Sequence, residues 1–89
     1  MNKFRYNELK NFTRQYQEFR RKKQKKNVDM IESAAREAAG HSMYKHILLS
    51  VTEGIPFEKL NARERIPCGK NYFYKIKKKY YEILDEKKD

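Results

Sequence analysis

The sequence predicts an all-α fold, a compact bundle of four to five helices ending in a helix-turn-helix. Three observations predict it. Apolar residues recur at spacings of three and four along most of the chain, no alternation of period two persists long enough for a strand, and the breaks fall at Gly and Pro, of which there are three and two. Gly40 and Gly54 each follow a helix-like stretch where a left-handed residue is favoured, and Pro56 and Pro67 each push the preceding Ile towards an extended backbone.

The first segment runs from about Lys3 to Lys26. Leu9, Phe12, Tyr16 and Phe19 form one narrow stripe on a helix whose other faces are polar, and the stripe fades into Arg20-Arg21-Lys22-Lys23. The second segment begins near Asp29, with Glu32 three residues on in capping-box register, and presents Ile31, Ala34, Ala35 and Ala38, small enough to admit a close neighbour helix. The third starts at Ser42 as N-cap and carries Tyr44, Ile47, Leu48 and Val51 on one face, the central core signal. The fourth is short, opens at Pro56, has Phe57 and Leu60 on one side and loses its pattern near Arg63 to Arg65. The fifth runs from about Lys70 to Glu86 with Phe73, Ile76, Tyr80, Ile83 and Leu84 as its stripe.

With 89 residues, one domain covering 1–89 is expected, and folded chains of this size bury only roughly 60–65% of the surface they expose when unfolded. A deep catalytic pocket is therefore not expected, and neither enzymatic activity nor a cofactor is. The formal net charge of +10 points instead to polyanionic partners. It is unevenly spread: net +8 over residues 1–27, a basic helix or arm; −2 over 28–54, the core helices; and +4 over 55–89, the helix-turn-helix. Cys68 stands alone and no apolar stretch reaches the roughly 18 residues that cross a bilayer. Glu8, Lys10 and Arg14 interrupt any leader-like apolar run, so a cytoplasmic chain without membrane contact is expected.

Other chemistries find little support. His41 and His46, five apart, do not share a helix face and have no third metal-binding companion, so no metal site is expected. Gly69-Lys70 lacks the earlier glycine and following Ser or Thr of a phosphate-binding loop. Cys68 precedes a helix start near Lys70, a setting that lowers thiol pKa values, but a structural role at the turn is the expected one.

The order of a short helix, a break and a longer basic helix is that of a helix-turn-helix. At about 100° per residue, Phe73, Ile76, Tyr80, Ile83 and Leu84 share a buried face. Opposite lie Asn71, Tyr74, Lys75, Lys78 and Tyr81, flanked by Lys70 and Lys77, while Glu82, Asp85 and Glu86 gather at the far end, the last two in a frayed tail. Duplex DNA would attract the first turns through the lysines and the positive helix end, and repel the last ones. Asn71 has the amide that pairs with an adenine edge, Tyr74 reaches a thymine methyl or a phosphate, and Lys70, Lys75 and Lys78 reach guanine or backbone. Arg63 and Arg65 are expected phosphate clamps, with Arg20, Arg21 and Lys22 adding contacts from the first segment.

The block from Ile66-Pro67-Cys68-Gly69-Lys70-Asn71 through Tyr72-Phe73-Tyr74-Lys75-Ile76-Lys77-Lys78-Lys79 to Tyr80-Tyr81-Glu82-Ile83-Leu84 resembles the C-terminal region of small phage and prophage regulators of the ArpU and RinA type. The chain has Pro67-Cys68-Gly69 where a Ser or Thr cap is commoner in that family. The resemblance implies a helix-turn-helix like promoter-reading region 4 of sigma factors, and a transcriptional regulator binding double-stranded DNA, beside RNA polymerase.

Two other classes fit the same charge. One is a protein-interaction module that grips and inhibits an acidic host protein; the other is an RNA-binding protein stacking bases on Tyr72, Tyr74 and Tyr81. The stripe of Leu9, Phe12, Tyr16 and Phe19 is read as a face packed on its own domain, with a homodimer seam and a membrane-surface helix as alternatives.

Overall fold

Residues 25–53, helical on either side of a non-helical Gly40, form the spine against which every other element packs. The computed structural model describes residues 1–88, and among them the chain forms five helices and no strand: α1 (Lys3–Arg14), α2 (Tyr16–Arg21), α3 (Lys25–Glu53), α4 (Phe57–Arg63) and α5 (Lys70–Lys88). No helix among these residues is long and apolar enough to cross a membrane.

The expected single helix from Lys3 to Lys26 is divided. Asn2 caps α1 by accepting the Arg5 N–H at 2.8 Å, but the helix ends at Gln15 and α2 takes over. Lys23, with φ 58, then reverses the chain. The division lets α2 lie on α3, with the Tyr16 hydroxyl donating to Glu32, while α1 holds Thr13 against Tyr80 of α5. No Gly or Pro marks these breaks; tertiary packing sets them. Leu9, Tyr16 and Phe19 are buried in the chain's own core and Phe12 is half-buried, so this stripe is not open as a dimer seam or a membrane-facing helix.

Helix α3 begins at Lys25, four residues before the expected cap at Asp29. The capping box does not form, because Glu32 lies inside the helix and accepts from Tyr16. Gly40 has φ 74 and ψ 178, a conformation essentially restricted to glycine, so the helical stretch is broken at Gly40, where the sequence places a break. Ile31, Ala34 and Ala35 are fully buried before it, and Met43, Ile47, Ser50 and Val51 after it. Tyr44 and Leu48, expected in the core, are only half-buried.

At the end of α3, Gly54 is left-handed (φ 68, ψ 30) and its N–H donates to the Ser50 carbonyl at 2.9 Å. The Ser50 hydroxyl donates onward to the Ile55 carbonyl at 2.7 Å, which fixes the turn into α4. Phe57 and Leu60 of α4 join the core, and Phe57 packs its ring 5.3 Å from that of Phe73. In the connection, the Asn61 side chain accepts the Ile66 N–H at 3.0 Å and Ile66 is buried, so residues 64–69 are anchored at their middle. Helix α5 buries Phe73, Ile76, Tyr80 and Leu84 mainly against α3. Each such side chain contributes on the order of 1.5–3 kcal/mol by leaving water, which holds the whole length of α5 down. The tail expected to fray is helical to Lys88: Asp85 is ion-paired with Arg5, and Lys87 with Glu37 at 2.6 Å.

Candidate nucleic-acid interface

The first ten residues of α5 contain five lysines, Lys70, Lys75, Lys77, Lys78 and Lys79, and no carboxylate. Their side chains are sorted by the packing beneath them. Phe73 and Ile76 point inward, so Asn71, Tyr74, Lys75 and Lys78 emerge on the opposite side, all exposed. The carbonyl of Gly69 accepts the Phe73 N–H at 3.0 Å and starts the helix. That end carries the positive pole of the helix dipole, so dipole and lysines favour an anion together. The named side-chain contacts from α1 fall on residues 80 to 88 of α5: Thr13 with Tyr80, Tyr6 with Tyr81, Arg5 with Asp85 and Phe12 with Lys88. Asn71, Tyr74, Lys75 and Lys78 in the first half of the helix are thereby left exposed.

Three sequence expectations are modified here. Tyr81, expected outward, is 5% exposed, because Tyr6 of α1 covers it with an edge-on ring 5.0 Å away. Burial pushes its phenol up to about 12, so it is neither a base-stacking platform nor an ionisable contact. Lys70 is not a free cation: its Nζ lies 2.5 Å from Glu58 of α4, and that pair holds the Glu58 carboxyl below the usual range. Lys77 is half-buried on the α1 side, and its ammonium is held below the ordinary lysine range first by desolvation and then by the charges of Arg14 and Lys10.

Arg63, at the end of α4, and Arg65, in the connection, are both exposed. Arg20, Arg21 and Lys22 are placed differently. Arg21 and Lys22 both pair with Glu18, at 2.5 and 3.4 Å, and Arg20 lies over the Tyr16 ring at 5.8 Å. Arg20 lines a groove of about 360 Å³ whose walls include Glu53 and Glu64, which shares no lining residue with the α5 lysines. The basic run is therefore an ordered, partly neutralised end of α2, not an arm.

Sequence reasoning missed the cations of α1. Lys3, Lys10 and Arg14 fall within about 40° of one another on a helical wheel, and the spacing of seven and four was visible in the sequence. Among the described residues none of Lys3, Lys10, Arg14, Lys77 and Lys78 pairs with a carboxylate. The thiol of Cys68 is half-buried, and desolvation raises its pKa, the opposite of an activated nucleophile. No family model matches the chain, and no curated protein or solved structure matches it.

Proposed function

We propose that the chain is a double-stranded DNA-binding transcriptional regulator of the phage or prophage type, which inserts the first turns of α5 into the major groove. The observation that carries this reading is the row of Asn71, Tyr74, Lys75 and Lys78, exposed on a helix whose other side is locked to the core by Phe73, Ile76 and Tyr80. A rigid helix that presents an amide, a phenol and unpaired ammonium groups supplies both base-edge and phosphate contacts. Helix α4 serves as the supporting helix, joined to α5 by the Phe57–Phe73 contact and the Glu58–Lys70 pair. The connection at residues 64–69 is longer than the turn of about 3–4 residues usual in a helix-turn-helix. Exposed Arg63 at the end of α4 and Arg65 in the connection suit the extra length to backbone contact. Glu82 and Glu86, exposed further along α5, discourage deeper insertion by repulsion from phosphates.

The test is fluorescence anisotropy with a random duplex pool over a salt series, followed by selection of the bound fraction. Asn71→Ala is expected to cost about 1–3 kcal/mol chiefly on the selected site, whereas Lys78→Ala weakens all sequences alike. Equal losses on selected and random duplexes for Asn71→Ala would remove it from base reading.

A further inference from the structure

Between α1 and the middle of α5 runs a groove of about 710 Å³ lined by Lys3, Tyr6, Tyr74, Lys77, Lys78 and Tyr81, with Met1, Asn2 and a single carboxylate, Glu82. It is an open groove whose volume is enough for a nucleotide-sized group. Tyr81 is its buried floor. Tyr6 and Tyr74 stand as walls, 40% and 36% exposed. Lys77 places its ammonium 5.3 Å from the centre of the Tyr74 ring, and that contact keeps a cation at the wall instead of in bulk water.

Cations and aromatic faces alternate here, and each kind of group asks for a different part of a ligand. Three lysines against one carboxylate leave an uncompensated positive lining, and Arg14 and Lys10 add to the field around Lys77. Like charges held together without counter-charges lower stability unless an anion joins them. Phosphate alone would satisfy the lysines but would leave the tyrosine walls without a role. A duplex read along Asn71, Tyr74, Lys75 and Lys78 would not stack on the Tyr6 ring, because its bases are stacked on one another. An unstacked nucleotide meets both demands, its phosphates on the lysines and its base on a phenol ring.

We infer that the α1–α5 groove is a binding site for single-stranded nucleic acid, with phosphates on Lys3, Lys77 and Lys78 and a base stacked on Tyr6. The site goes beyond duplex reading, since Tyr6 and Lys3 belong to α1 and lie outside the row of Asn71, Tyr74, Lys75 and Lys78. It assigns α1 a direct part in binding that its charge pattern alone did not reveal.

The experiment is titration of the full chain with a short oligothymidylate, followed by intrinsic tyrosine fluorescence, which no Trp obscures. Inorganic polyphosphate of matched charge serves as the comparison, and duplex affinity is recorded in parallel. Tyr6→Leu keeps an apolar side chain against Tyr81 but removes the ring; Tyr6→Phe keeps the ring, and circular dichroism checks that both variants fold. The inference expects oligothymidylate to bind, Tyr6→Leu to lose between about fivefold and one hundredfold, Tyr6→Phe to retain binding, and duplex affinity to stay unchanged in both. Absence of oligothymidylate binding, equal binding by polyphosphate, or an unaltered affinity in folded Tyr6→Leu each overturns it. Loss of duplex binding by Asn71→Ala bears on the duplex reading alone, so the two can fail separately.

Discussion

Glu58 and Lys70 form a 2.5 Å ion pair that joins α4 to the first residue of α5. Both groups are more than half exposed, so the pair contributes little to stability, but it neutralises one cation at the start of α5. Replacing Glu58 by Gln is expected to release Lys70. The Glu58→Gln variant is expected to bind any duplex more tightly, with the slope of log K against log salt steeper by about 0.9. Anisotropy at several salt concentrations measures it, and an unchanged slope would show that Lys70 does not reach a phosphate.

Thr13 and Tyr80 make the buried polar contact between α1 and α5, 2.9 Å apart, with Thr13 already donating to the Leu9 carbonyl at 2.8 Å. Tyr80 is therefore the donor to Thr13, and the two deletions are unequal. Thr13→Val orphans a buried phenol and is expected to cost about 1–3 kcal/mol, whereas Tyr80→Phe leaves Thr13 satisfied and costs about 0.5–1.5 kcal/mol. Urea unfolding of the two variants checks the order.

Gly40 has nothing within 4 Å of where a Cβ would sit, yet its φ of 74 is outside the range comfortable for L side chains. Gly40→Ala is expected to destabilise the chain by about 1–3 kcal/mol through backbone strain alone. Gly54→Ala has a second effect, because the new methyl would fall on the Arg14 guanidinium and displace it. Urea unfolding of the two variants compares strain alone with strain plus displacement of the Arg14 side chain.

Burial raises the phenols of Tyr16, Tyr80 and Tyr81 above the ordinary value of 10.0. Stability from these groups is fully present below pH 10 and is lost as pH rises, because the unfolded chain gives up protons that the folded chain keeps. Each group lowers stability by up to about 1.4 kcal/mol per pH unit in that window. Phenolate absorbance is expected to show a late step that coincides with loss of helical circular dichroism. Full ionisation near pH 10 with the helices intact would contradict the packing described.

The parts of this arrangement legible in the sequence are those fixed by local pattern. Helix α5 was readable because Phe73, Ile76, Tyr80 and Leu84 recur at helical spacing after Gly69, and Gly54 ends α3 where a left-handed residue was expected. What escaped depends on partners distant in the chain. Nothing near Tyr81 tells that Tyr6 will cover it, and nothing near Lys70 tells that Glu58 on another helix will pair with it. The α1–α2 division carries no Gly or Pro, and the Asp29–Glu32 pattern was a false start signal because Tyr16 claims Glu32.

The most direct test of the central claim is amide chemical-shift mapping of the full chain on addition of duplex DNA. The account predicts that the largest changes fall on residues 70–79 with a secondary set at Arg63 and Arg65, and few on α2. Changes confined to Arg20, Arg21 and Lys22, or spread evenly over the basic surface, would contradict a major-groove reading by α5.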